Sequence, residues 1–425
     1  MSESSVQARQ EFSQHWTLIL AASVGFSFTA VITASTGLFM QPLSEEFGWN
    51  RTLVSSGVAI VSVLTFLFSP LFGYLIDRLG TRRLALPGLV LLTLTIVSLS
   101  TLTGSKVQWF AIWSVYAVAA LTTKSTVWTA AINSVFDAGR GLALGLTLSG
   151  SAVAQIIVPP LANYLIGEVG WRMAYVWMGF GWGGIALLLC IVWLRDGYEK
   201  GWSRRRSGSQ EEKPKQLLDV PGLSVDQAWR SADLWRIAIS AFIIMVVTIA
   251  VMIHQIPILM DLGTDQTSAA YYASFAGVAG IVGKLVTGSL LDRFQARWVG
   301  GITIGMGAFT FVLLLVPNLT PAIVLVAMLI NGYTAGAKLQ IVGYLTAAYA
   351  GMRNFGIIFG SMASLIAAGS GLGPVIGGAI FDIYGNYIPL LWGGIAGTLA
   401  SAFLLFGLKA YPDWKADKQA SEAAS

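Results

Sequence analysis

Lys124, Lys284 and Lys338 each interrupt a long apolar stretch, and no Asp or Glu lies comparably deep in any such stretch. A lysine at the centre of a bilayer costs about 2.5 to 3.5 kcal/mol, so three facing lipid would cost roughly 7 to 10 kcal/mol. That cost is relieved by water, by an anion, or by snorkelling of the ammonium groups toward the interface. Three cations with no opposing carboxylate point to an anionic small molecule as cargo, and a proton relay built on carboxylates lacks its residues. His254, one of two histidines, could bind or carry a proton, or be a hydrogen-bonded polar residue within a helix bundle. Trp128 shares a helix face with Lys124, and Asn331 shares one with Lys338, so either could shape a pocket or simply pack.

Other chemistries are short of their residues. A HExxH metal site needs two His four apart, and His15 and His254 are the whole supply. Gly283-Lys284 is followed by Leu285, and Val278 stands where a phosphate-binding loop needs its first glycine. Cys190 is the single cysteine, which excludes a disulfide framework. No metal, no cofactor and no enzymatic activity is expected.

The elements that must hold these residues are membrane helices. Of 425 residues, 55% are hydrophobic and 11% charged, where a soluble domain carries about 25% charged residues. Apolar stretches of about 20 residues recur, each long enough to cross a hydrocarbon core of roughly 30 Å. In lipid every backbone N–H and C=O must be satisfied within the segment, and the 47 glycines suit close helix packing rather than a barrel. Twelve spans are expected, starting near Trp16, Thr52, Leu84, Val107, Gly141, Met173, Asp233, Thr267, Trp298, Pro321, Asn354 and Asn386. The first is too long for a cleaved signal core and is read as retained.

Among the 26 Lys and Arg, only Arg51, Lys106 and Arg172 fall in segments that an even span count places outside, so both termini are expected in the cytoplasm. The net charge of +5 thus follows topology, and no nucleic acid is expected as a partner. Residues 195–232, with Arg204, Arg205, Arg206, Lys213 and Lys215 among acids and prolines, read as a solvated linker between an N-terminal half, 1–194, and a C-terminal half, 233–425.

The halves repeat each other. Gly73-Tyr-Leu-Ile-Asp77-Arg78 returns as Gly288-Ser-Leu-Leu-Asp292-Arg293, an offset of 215, and Gly170 returns as Gly385 at the same offset. Arg140 before span 5 likewise returns as Arg353 before span 11. Lys124 and Lys338 stand close to that offset, so a pseudo-twofold would set them opposite one another. Such duplication predicts an all-α membrane protein of two pseudo-symmetric six-helix bundles, with the site between them.

Gly73-Tyr-Leu-Ile-Asp77-Arg78-Leu-Gly80-Thr-Arg82-Arg83 resembles the signature loop of the major facilitator superfamily. Phe47-Gly48-Trp49-Asn50-Arg51, Arg140-Gly-Leu-Ala-Leu-Gly145, Gly170-Trp171-Arg172, His254-Gln-Ile-Pro257 and Gly283-Lys284-Leu285 together resemble its bacterial monocarboxylate and oxalate/formate exchanger branch. The resemblance implies that Lys284 stands where relatives carry an arginine that binds the substrate carboxylate. It makes oxalate doubtful, since no basic residue occurs between Asn354 and Phe381. The physics of the loops supports a gate built from Asp77, Arg78, Asp292, Arg293, Arg140 and Arg353: at cytoplasmic helix ends a carboxylate can pair with Arg or cap a neighbouring helix, while the arginines also enforce topology.

The expected function is secondary transport of an organic anion, a mono- or dicarboxylate with aromatic acids included, across the inner membrane by alternating access. Exchange is favoured, because an empty carrier with three uncompensated charges should reorient reluctantly. A proton-linked symporter using His254 and a transport-silent sensor on the same fold are the alternatives. A monomer in the lipid bilayer is expected.

Overall fold

In the computed structural model the described residues are 3–136, 139–195, 222–351 and 353–411. The helices are α1 (Glu3–Phe47), α2 (Arg51–Leu79), α3 (Thr81–Ser98), α4 (Lys106–Thr122), α5 (Ser125–Asn133), α6 (Arg140–Trp177), α7 (Gly183–Trp193), the short α8 (Val225–Arg230), α9 (Ala232–Asp261), α10 (Gln266–Arg293), α11 (Ala296–Leu314), α12 (Pro321–Ala350), α13 (Phe355–Tyr384) and α14 (Ile388–Phe406).

Ten helical stretches among the described residues are long and apolar enough to cross a membrane, and two local features reconcile that number with the twelve spans. Spans 5 and 6 run on as one stretch, Arg140–Trp193, turned at Gly170, whose φ of 78° breaks the helical path. Span 4 is divided into α4 and α5 by Thr123 and Lys124, and the two pieces together make the one span. Among the described residues the membrane protein has helices and no strand, and these stretches account for the twelve expected spans.

Helix ends fall where short-range chemistry puts them. The Asn50 side chain accepts from the Leu53 amide at 3.0 Å to start α2, and Thr320 with Pro321 starts α12. Gly170 and Gly385, the repeat-related pair, both have positive φ, a conformation glycine adopts without a Cβ penalty.

Contacts divide the chain into two compact units. The first gathers the residues up to Arg195 with the segment Met252–Gly277, the second those from Gly222 to Val251 with Val278 onward. Within the first unit α1 packs along α6 and α7, and α4 along α2 and α3. A Cβ added at Gly150 of α6 would land on the Ser23 carbonyl of α1, so these backbones touch.

The loop motifs at one end of this unit form a single clasp. Glu46 Oε2 accepts from Trp171 Nε1 and from Arg172, both at 2.8 Å, and Arg172 stacks on Trp171 at 4.2 Å. Phe47 meets Trp49 and Trp171 edge to face or tilted. The segment Met252–Gly277 is stitched on by three hydrogen bonds: Ser55 Oγ with His254 Nε2 at 3.1 Å, Ser274 Oγ to the Ile156 carbonyl at 2.6 Å, and Asn163 Nδ2 to Thr267 Oγ1 at 3.1 Å. Between its two helices, Asp265 accepts from the Ser268 amide. Hydrogen bonds from Ser268 hold its carboxyl below the usual aspartate range.

Within the second unit, Gly369 and Gly373 of α13 seat against the Phe242 and Val246 carbonyls of α9. Ser240 and Ser401 join α9 to α14 at 2.7 Å in a buried pair. Arg204, Arg205 and Arg206 lie outside the described residues, while the last part of the expected linker is built into this unit. Leu223 N donates to the Ala350 carbonyl at 2.8 Å, Asn354 Nδ2 donates to the Leu223 carbonyl, and a Ser224–Gln227 capping box opens α8.

Candidate functional site

Glycine positions bring two of the intramembrane lysines together. A Cβ at Gly283 of α10 would fall on the Tyr333 carbonyl of α12, and one at Gly336 of α12 would fall on the Gly280 carbonyl of α10. The two backbones therefore meet along a seam that only glycine permits. Lys284 follows Gly283 directly, and Lys338 stands two residues past Gly336. Lys338 is buried, with 6% exposure, and lies within electrostatic reach of the half-buried Lys284. Neither makes a hydrogen bond or ion pair with another described residue. Around them α12 offers Tyr333, whose hydroxyl accepts from Thr287 Oγ1 at 3.4 Å, and Asn331 about two turns before Lys338. Two adjacent ammonium groups in a low-dielectric bundle repel one another, and a bound carboxylate relieves both.

Lys124 belongs to the first unit and has a different local setting. It sits at the break between α4 and α5 as the N-cap of α5, and its Nζ donates to Ser69 Oγ of α2 at 2.8 Å. Trp128 is fully buried, with 0% exposure, and its Nε1 donates to the Thr123 carbonyl at 2.7 Å. It thereby caps a carbonyl freed by the break. Its ring lies against Gly25 of α1, where a Cβ would collide with it. Trp128 thus packs and caps at the break, whereas Lys338, the repeat mate of Lys124, lies in an unbroken helix. His254 is fully buried in α9 against Ser55 of α2.

The loop residues predicted to gate lie at helix ends. Asp77 stands in the last turn of α2, its side chain outside the described ones, and Arg78 lies over the Tyr74 ring at 5.1 Å. Asp292 and Arg293 end α10, both exposed. Arg140 Nε donates to Asn133 Oδ1 at 2.7 Å, bridging α6 to α5, and Arg353 is exposed just ahead of α13. Arg82 of the same motif donates to the Ile191 and Leu194 carbonyls at the end of α7, where a cation completes the helix terminus.

Sequence reasoning passed over Ser55, Ser69 and the break itself. The Thr and Ser residues on both sides of Lys124 in Thr122-Thr123-Lys124-Ser125-Thr126 are poorer helix formers and were the available signal. Gly332 and Gly336, spaced as a GxxxG pair, were the signal for the seam.

The family model described as "Major Facilitator Superfamily" matches residues 17–337 and 238–424. Relatives by sequence include Monocarboxylate transporter 13 of Bos taurus, 24% identical over 92% of this chain and 87% of that one. Monocarboxylate transporter 12 of Homo sapiens is 21% identical over 88% of this chain and 76% of its own. The Agnestins efflux protein AgnL12 of Paecilomyces divaricatus is 24% identical over 93% and 88%. Among solved structures, a bacterial homolog to human lysosomal transporter Spinster superposes with a TM-score of 0.62 at 17% identity, covering 92% of this chain and 93% of that one. Family match, repeated loops, helix count and cationic bundle agree: the chain belongs to the Major Facilitator Superfamily and is a multi-pass membrane transporter.

Proposed function

We propose that the protein is a secondary active transporter of an organic anion, a mono- or dicarboxylate, with Lys284 as the shared carboxylate ligand and Lys338 as its neighbour. The observation that carries this is the lysine pair on the α10–α12 seam, two cations side by side with no acidic partner among the described residues. The monocarboxylate transporters among its relatives support the same chemistry. Alternating access would move the cargo between halves 1–194 and 233–425 across the inner membrane, with both termini in the cytoplasm. Exchange is the favoured mode, since bound anion neutralises charges that resist reorientation in the empty carrier. His254 has Ser55 as a partner, which supports a positioning role over that of proton carrier.

The test is a thermal-stabilisation screen of the purified protein over mono-, di- and aromatic carboxylates, followed by counterflow in proteoliposomes. Carboxylates should raise the melting temperature and drive counterflow. Stabilisation by sugars or organic cations alone would overturn the proposal, and binding without counterflow would make the protein a sensor.

A further inference from the structure

The described end of the linker turns apolar side chains outward. α8 has six residues and is opened by the Ser224–Gln227 capping box. One side of it is sealed to the second unit, because Ala228 is buried in that unit's core with Leu223 packed beside it. The hydrogen bonds of Leu223 with the Ala350 carbonyl and with Asn354 fix its root. Helical spacing sorts the other side chains. Asp226, Gln227 and Arg230 share an exposed face, with Asp226 and Arg230 paired at 3.3 Å. Trp229 projects from a different side and is 55% exposed.

Trp229 is tied to α9. Its ring lies 5.6 Å from that of Trp235, and Trp235 Nε1 donates to the Trp229 carbonyl at 2.9 Å, which satisfies a group left open at the end of α8. Trp235 belongs to a stripe of Ala232, Trp235 and Ile239, all exposed. Residues three and four apart share a helix face, and this one points away from the core that Leu234, Ile237, Ala238 and Ala241 enter. In a helix long and apolar enough to cross a membrane, that face meets lipid. α9 has 30 residues, about 45 Å of helix, against a bilayer of about 40 to 45 Å with its headgroup layers included. Its first turn therefore stands at headgroup level, and Trp229 continues the lipid-facing stripe from there.

We propose that α8 lies on the bilayer and anchors the end of the linker to it, with Trp229 and Trp235 in the layer where phospholipid headgroups meet acyl chains. An indole suits that layer, since its ring is apolar and its N–H can donate to a lipid oxygen. Trp235 gives its N–H to protein, while the Trp229 N–H has no hydrogen-bond partner among the described residues. The Asp226–Arg230 pair and Gln227 form the wet side. The linker, read from sequence as solvated, thus reaches the membrane before α9 begins.

The experiment places a nitroxide on single introduced cysteines in the full chain, reconstituted in phosphatidylcholine vesicles. It compares collisions with oxygen, which concentrates in lipid, and with a water-soluble nickel chelate. The native Cys190 is buried, and the unsubstituted chain carried through the same labelling gives the background. The oxygen-to-nickel ratio at Trp229→Cys and Val225→Cys should exceed that at Asp226→Cys and Gln227→Cys about threefold or more. Val225 stands one turn before Trp229 on the same side of α8, so Val225→Cys keeps both tryptophans and serves if Trp229→Cys fails to fold. Equal ratios at all four positions would put α8 in water, and exclusion of both reagents at 225 and 229 would mean that protein covers the patch. Either result overturns the proposal.

Discussion

The three lysines stand in two physical settings. Lys284 and Lys338 share a seam, while Lys124 is held by Ser69 beside a helix break. Lys284→Ala should abolish carboxylate uptake and carboxylate-induced stabilisation, and Lys284→Arg should retain part of both, since charge persists while shape changes. Lys338→Ala should cost a dianion about 2 to 5 kcal/mol, the range for truncating one partner of a buried charge pair, and a monoanion much less. Parallel binding assays with a dicarboxylate and its monocarboxylate analogue check this, and equal losses would remove the division of labour. Trp128→Phe removes the N–H that pairs the Thr123 carbonyl and the distal ring atoms that pack on Gly25, so it should destabilise the protein by about 1 to 3 kcal/mol or more. A melting temperature unchanged in that variant would show that another donor takes over. The lysines were legible from sequence because charge in an apolar run is conspicuous. Ser55 and Ser69 were not, because a serine in a helix ordinarily bonds its own turn and only tertiary packing singles one out.

At the scale of elements, the repeat offset carried over into geometry: the loop motif closes both α2 and α10, and Gly170 and Gly385 both turn the chain with positive φ. The offset did not foretell the contrast between a broken span 4 and a continuous α12, since it pairs Lys124 with Lys338 but is silent on their neighbours, Thr and Ser around the first and Ala, Gly and Leu around the second. Glycine does more in α10 and α12 than lower bulk. Gly336→Val should force the two helices apart and cost about 1 to 3 kcal/mol or more as overpacking. It should also weaken carboxylate binding, because the separation of Lys284 from Lys338 is set by that seam. Native melting temperature and native affinity in Gly336→Val would show that the seam does not position the pair.

At the scale of the molecule, the fold class was legible from composition and repeat, and the motifs that suggested a family proved to be joints: Glu46, Trp171 and Arg172 hold three loops together. The gate remains a proposal with a direct check. Asp77→Asn should slow exchange in proteoliposomes while leaving carboxylate affinity within about twofold, and wild-type exchange rates would remove Asp77 from the mechanism. The stitching of Met252–Gly277 onto α1, α2 and α6 has a consequence for biosynthesis. Spans 1 to 6 leave the ribosome with polar groups such as the Ser55 hydroxyl and the Ile156 carbonyl still awaiting partners that have not been translated. The first unit is therefore finished only after the chain has passed Gly277, and the interval between the sixth and eighth spans is when the nascent protein most needs insertion factors and is most open to quality control.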